Sequence, residues 1–348
     1  MTPIKSPQHK GRGAVTLKAV AKHLGLTPGT VSAVLNNSSA ARSIPEHTRK
    51  RIVAAARELN YRPNFLARSL RVQRTFSVGV ITEEIGDAYG GMVVSGIEAF
   101  LSERGFFFLT VAHRHDPQLL NTYAEMLMAR GVEGFITIDT SVAERPFLPT
   151  VAVAGHERVE NVTNIILDHR RAAELALRHL KQLGHVNIAF LRGQDKSSDS
   201  ATRWHAIQEV AQEFGIRIQP ELVVQLEGVD STPELGYPYG KALLERKVPF
   251  TALFAYNDIS AIGAMRAFQE AGLKVPQDIS VIGFDDISLA SFSIPPLTTV
   301  RQPLLKMGRI AAQTLLDRIE ERASYLPEIA IEPELVVRTS TAAPKSAS

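Results

Sequence analysis

The chain contains no cysteine at any of its 348 positions. Disulfides, thiolate metal sites and cysteine nucleophiles are thereby excluded. No apolar run approaches the length needed to cross a bilayer. The first thirteen residues, MTPIKSPQHKGRG, lack the apolar centre of a signal peptide. They read as a disordered basic tail, and the chain is expected in the cytoplasm. Catalytic signatures are missing as well: there is no GxxxxGK(S/T), no GxSxG and no HExxH, and the ten histidines are scattered. The composition points away from an enzyme, and no cofactor or metal is expected.

Acidic residues are nearly missing from one region. Residues 1–74 hold fourteen Lys and Arg against Glu46 and Glu58 alone, a net of +12. Residues 75–348 hold 25 basic against 34 acidic residues, a net of −9, so the overall +3 conceals a basic head on an acidic body. Such asymmetry is the footprint of a polyanion-binding module joined to something that is not one. A solvated basic face without a partner is the other reading.

Within the head, Val15–Asn36 reads as two short helices broken at Gly25. Leu17, Val20, Ala21 and Leu24 form one apolar stripe behind a Thr16 cap, and Thr27 with Pro28 opens the second helix, whose buried side is Val31, Val34 and Leu35. Helices this short need a third, which Ile52, Ala55, Ala56 and Leu59 supply within Pro45–Asn60, after a polar loop Asn37–Ser43. An ordinary helical hairpin would satisfy the first two alone. Three with a tight Gly turn suit a helix-turn-helix unit whose second helix enters a DNA major groove. Beyond Pro63, Asn64 can cap a short segment Phe65–Arg71 that mixes Phe65, Leu66 and Leu70 with Arg68 and Arg71. It reads either as a solvated linker or as a hinge that folds on DNA and wedges between base pairs.

From Ser77 onward short apolar strands alternate with helices in two successive sets. SVGVI, FFFLTVA, VEGFITID, TVAVAG and NIILD come with helices at Met92–Arg104 and Leu119–Ala129. VNIAFL, LVVQL, TALFAY and SVIGF follow with helices at Arg171–Leu183, Arg203–Phe214, Leu235–Lys247 and Ser260–Ala271. Leu304–Glu321 is a long amphipathic helix and Glu334–Thr339 a last strand. This pattern means two doubly wound parallel-sheet lobes, with a ligand bound between them at the carboxyl ends of the strands.

Five stretches carry a resemblance: VTLKAVAKHLGLTPGTVSAVLNN, TRKRIVAAARELNYRPNFLARSLR, RHLKQLGHVNIAFLRG, FAYNDISAIGAMRAFQEAGLKVPQDISVIGFDD and PPLTTVRQP. In this order they resemble the LacI/GalR family of bacterial transcription regulators over roughly Val15 to Thr341. The resemblance implies an all-α helix-turn-helix head (14–60), a hinge (61–75) and an α/β core like a periplasmic binding protein (76–341), with residues 342–348 as a tail. It divides the core into an N-lobe of about 76–167 plus 304–331 and a C-lobe of about 168–300 plus 332–341. It implies a homodimeric repressor on palindromic double-stranded DNA, with no membrane partner. Operator affinity would be switched by a small molecule in the cleft, a sugar or related metabolite. A small-molecule binding protein whose basic head serves another nucleic acid is the alternative. RNA would want aromatic platforms in the basic part, where only Tyr61, Phe65 and Phe76 stand.

Carried over residue by residue, the resemblance places Thr16, Thr27, Thr30, Ser32 and Asn36 against phosphates and base edges. Asn64, Ala67, Arg68 and Leu70 fall in the DNA-contacting hinge, with Leu70 prying open the central step. Pro28, Gly29 and Ala33 occupy the family's base-reading positions with side chains that cannot hydrogen-bond a base. Arg203, Asn257, Asp285 and Gln302 match positions lining the effector cleft. Tyr89 would offer a flat ring, and Asp139, His156, Asp168 and Asp199 sit near strand ends. Four stretches depart from the family: GDAYG, Gly155-His156, Trp204 after Arg203, and LEGVDSTPELG. The tail after Thr339 has no leucine heptads with which to zip dimers into tetramers.

Overall fold

The computed structural model describes residues 15–345 apart from 37, 63–68, 70–72, 141, 143–145, 156–157, 196, 229–231 and 323–324. It divides into two compact units, Met1–Thr75 and Phe76–Ser348.

The first unit is helical: α1 (Leu17–Leu24), α2 (Pro28–Leu35) and α3 (Glu46–Glu58). Val20, Ala21, Val31, Ile52, Ala55 and Ala56 form its core, edged by Leu17, Leu24, Val34, Leu35 and Leu59. Each of the first two helices begins at a threonine. Thr16 Oγ1 accepts from Ala19 N at 3.2 Å, and Thr27 Oγ1 from Thr30 N at 3.2 Å. Gly25 closes α1 with φ +67°, a left-handed turn that a side chain resists. Much of the expected polar loop Asn37–Ser43 is more regular than its composition suggests. Ser39–Ser43 forms a turn of 3-10 helix that buries Ala41.

The second unit holds two six-stranded sheets. One takes β1 (Ser77–Thr82), β2 (Phe107–Ala112), β3 (Phe135–Ile138), β4 (Thr150–Val153), β5 (Val162–Leu167) and, late in the chain, β11 (Glu328–Ile331). Its order is β11-β5-β4-β3-β1-β2, all parallel. The other takes β6 (Ile188–Arg192), β7 (Val223–Gln225), β8 (Ala252–Phe254), β9 (Ser280–Asp285), β10 (Thr298–Arg301) and β12 (Glu334–Val336). Its order is β12-β10-β9-β8-β6-β7, with β12 alone antiparallel. β3, β4 and β9 are buried at every residue, which is why their sequences run apolar without alternation.

The helices on the first sheet are α4 (Ala88–Glu103), α5 (Pro117–Ala129) and α11 (Leu304–Ile319). α4 and α11 approach closely: a Cβ on Gly96 would lie 2.1 Å from Leu305 O, and one on Gly308 2.0 Å from Val93 O. On the second sheet lie α6 (His169–Leu183), α7 (Ser198–Glu213), α8 (Gly236–Glu245), α9 (Asp258–Glu270) and the short α10 (Ser288–Phe292). The chain passes between lobes after β5, after β10 and between β11 and β12. Residues past Thr339 do not hang free as far as 345. Ser340 is fully buried, bonded to Val281 O and Thr298 N, and His185 meets Ala342 O at 2.9 Å.

Two helices begin a full turn or more before their apolar periodicity suggests. α7 starts at Ser198 rather than Arg203, and α4 at Ala88 rather than Met92. The first turns of both are polar or small, so periodicity misses them. An Asp87 cap, its Oδ1 accepting from Gly90 N at 2.8 Å, fixes the start of α4.

Candidate nucleic-acid interface and ligand cleft

On α2, Thr27, Pro28 and Gly29 are exposed, and Thr30, Ser32, Ala33 and Asn36 half-buried. Thr16, also exposed, caps α1. The hydroxyls of Thr27 and Thr30 lie 2.9 Å apart, and Asn36 Nδ2 donates to Ser32 O at 2.9 Å and Ser32 Oγ at 3.1 Å. The start of α2 presents backbone N–H groups and the helix dipole, a setting that suits a phosphate. Around Gly29 there is room: the nearest atom to an added Cβ would be Thr27 Oγ1 at 3.7 Å. Asn64, Ala67, Arg68 and Leu70 lie outside the described residues, as does His156.

The cleft of the second unit follows from topology. In each sheet the chain steps outward from the first strand to one neighbour and returns to the other side, between β1 and β3 and between β6 and β8. Loops at the carboxyl ends of such strands diverge and leave a crevice. Here they border a cleft of about 980 Å³. Glu83, Glu84 and Asp87 follow β1, His115 follows β2 and Asp139 follows β3. From the second lobe come Ser197, Asp199, Arg203, Tyr256, Asn257, Asp285 and Gln302. Strain gathers at three of these strand ends, since Asp139, Ala154 and Asp285 hold φ of +44°, +51° and +109°.

Arg203 is the most tightly held group in it. Its Nη1 donates to Tyr256 O at 2.7 Å, and Nη2 reaches Asp199 Oδ2 at 3.5 Å, one helical turn away on α7. The guanidinium lies 3.8 Å from the Phe284 ring centroid and 4.4 Å from that of Tyr256. Burial works against its charge, yet Tyr256, Asp199 and Asp285 outweigh it, and the pKa rises. Asp199 also meets His169 at 3.4 Å. Asp285 ends β9 and accepts from Gln302 Nε2 at 2.7 Å. Burial pushes its carboxyl up to about 7, against the pull of Arg203 and Gln302 and with the repulsion of Asp87 and Asp199. The Tyr89 and Tyr256 phenols are likewise driven up, chiefly by burial.

Seven of the nine effector-side candidates therefore come together: Tyr89, Asp139, Asp199, Arg203, Asn257, Asp285 and Gln302 line one cleft. Asn257 does so from the cap of α9, its Oδ1 accepting from Ser260 N at 2.9 Å. Asp168 does not join them; it caps α6, accepting from Arg171 N at 2.8 Å. Sequence reasoning missed Glu83, Glu84, Asp87, His115, Ser197 and Tyr256. Of these, Asp87 carried a legible signal, an acid placed as helix cap just after a strand. Two conspicuous aspartates are structural instead. Asp258 is fully buried and accepts from Thr299 Oγ1 at 2.6 Å and Ile287 N at 2.9 Å, and Asp286 pairs with Arg301 and Arg338 at 2.7 and 2.6 Å.

Known proteins share this plan. Residues 16–64 match the family model described as bacterial regulatory proteins, lacI family, and residues 177–341 that of a periplasmic binding protein-like domain. The HTH-type transcriptional repressor PurR of Haemophilus influenzae is 34% identical over 336 residues, spanning 93% of this chain and 98% of that protein. A Lac repressor dimer solved with operator and the anti-inducer ONPF superposes with a TM-score of 0.84 at 28% identity, covering 95% of this chain and all of that one. The transcriptional regulator CelR, solved with cellobiose, gives a TM-score of 0.68 at 27% identity over 94% of this chain and 99% of its own.

Proposed function

The chain belongs to the LacI family of bacterial regulatory proteins, and from that premise we propose that it is a cytoplasmic, homodimeric transcriptional repressor rather than an enzyme. Its operator affinity is switched by a small metabolite bound in the cleft. The observation that carries this reading is the union in one chain of a +12 helical head and a cleft built around a buried arginine. Among the described residues no helix is long and apolar enough to cross a membrane.

In this reading the start of α2 sits on phosphates through backbone N–H groups, Thr27 and Thr30. Pro28, Gly29 and Ala33 offer only methyl or backbone contact to bases. Residues 61–75 act as the hinge, where Leu70 wedges into a central step and specificity shifts towards that step. One head reads too few bases alone, so two copies share a palindrome. The effector closes the lobes on Arg203, Asp285, Asn257 and Gln302. It acts on the head by favouring one arrangement of the core over another, since a ligand shifts an equilibrium only by its differential affinity.

An electrophoretic mobility shift of the full-length protein against duplex DNA and single-stranded RNA tests the reading. Duplex retention that weakens steeply with salt is expected. Preferential retention of RNA would refute it.

A further inference from the structure

The cleft wall is unbalanced in charge. Among the described residues six carboxylates line it, from Glu83, Glu84, Asp87, Asp139, Asp199 and Asp285, against the basic side chains of Arg203 and His115. Glu83 meets His115 Nδ1 at 2.5 Å, and Asp199 shares Arg203 and His169. Neither Asp87 nor Asp285 has such a cation in contact: Asp87 takes a backbone N–H from Gly90, and Asp285 a neutral amide from Gln302.

A second feature points the same way. Gln302 lines the cleft and is 2% exposed; its Nε2 is committed to Asp285, and its Oε1 is buried with no hydrogen-bond partner. The amide thus adds one more acceptor to a wall already rich in them. Against this stand few free donors, among them Arg203 Nε and the Tyr89 hydroxyl, both buried and unpartnered. A ligand completing this surface must bring hydrogen-bond donors in excess, and a phosphate or carboxylate would meet repulsion.

Resting on the effector reading above, we propose that the effector is a cation: a small hydroxylated amine whose ammonium group is held by Glu84, Asp87 and Asp285. Gln302 Oε1 accepts one further N–H or O–H, and the half-buried ring of Tyr89 offers a face to the charge. The titration behaviour of the wall agrees. Burial, with Asp139 and Glu84 adding to it, holds the Asp87 carboxyl above its ordinary range. A bound cation removes that strain by compensating the charge in place.

The test uses full-length protein and isothermal titration with matched probes on hexose, pentose and nucleoside skeletons. Each set holds a neutral polyol, its amino-deoxy analogue and its phosphate. Within the skeleton that binds, the amine is expected to bind at least about ten-fold tighter than the neutral member, with the phosphate weakest. Glu84→Gln and Asp87→Asn should each weaken the amine by about ten-fold or more and leave the neutral member within about two-fold. The asparagine of Asp87→Asn can still cap α4, so a correctly folded variant is at hand. A neutral polyol or phosphate that binds tightest, indifferent to both substitutions, overturns the cation and leaves the effector cleft standing. Failure of every probe in every set overturns both.

Discussion

Asp285→Asn should make the ligand-free protein more stable at pH 8 than at pH 5, relative to wild type. Asp285 is 7% exposed and its carboxyl stands at about 7 against an ordinary 3.8. Below 3.8 the group is protonated in both folded and unfolded chains. Between 3.8 and 7 the folded protein holds a proton that the unfolded chain has released, so stability falls as pH rises, by about 1.36 kcal/mol per unit. Above 7 the loss stops. Between pH 5 and pH 8 two units count, and wild type should lose about 3 kcal/mol that the variant does not. Asparagine keeps an oxygen for Gln302 Nε2, so packing and the hydrogen bond survive. Burial lowers the pKa of His179 and His185, which costs stability as pH falls, but this is common to both proteins and cancels in the difference. Urea unfolding at the two pH values, followed through the single tryptophan Trp204 against Phe190, measures the effect. A difference between the proteins that does not change with pH would refute the reasoning.

Other substitutions probe other parts of the account. Arg203→Ala should abolish the response to effector while operator affinity, read by fluorescence anisotropy, stays within about three-fold; it should also cost the core about 1.5–3 kcal/mol through the lost bond to Tyr256 O. Gly308→Ala, whose Cβ would meet Val93 O at 2.0 Å, should drive α4 from α11 and lower stability by about 1–3 kcal/mol in calorimetry. Leu70→Ala should cost more operator discrimination than Thr30→Ala in competition binding, each changed central base pair being worth about 1–3 kcal/mol. Arg68→Ala should weaken all duplexes alike and flatten the salt dependence.

The fold was legible because its central strands are buried on both faces: Val78, Val80 and Ile81 in β1, or Ile188, Phe190 and Leu191 in β6, give apolar runs that helices interrupt. Helix starts were harder. In GQDKSSDSATR no apolar period marks the first turn of α7, so Asp199 reads as loop although it lies on the helix, four residues before Arg203. Within the cleft, motif matching reached Arg203, Asn257, Asp285 and Gln302. Glu83, Glu84 and His115 stand in loops whose polar composition does not say which side chain turns inward. Tyr256 was hidden differently, ending an apolar strand where its ring reads as core, while its hydroxyl meets Ser197 Oγ at 2.5 Å. The neighbouring pairs Asn257-Asp258 and Asp285-Asp286 show the limit most sharply. One member of each faces the cleft and the other is tied down in the scaffold, a division set by strand geometry rather than residue type.

The central claim is that this chain is a dimeric reader of one DNA sequence through a hinge-led contact. Selection of bound duplexes from a random pool by the full-length protein, at fixed salt and over several rounds, tests it most directly. The account predicts enrichment of a palindrome with an easily unstacked pyrimidine–purine step at its centre. A pool that stays random, or one enriched only in outer half-sites with the central step indifferent, would contradict it.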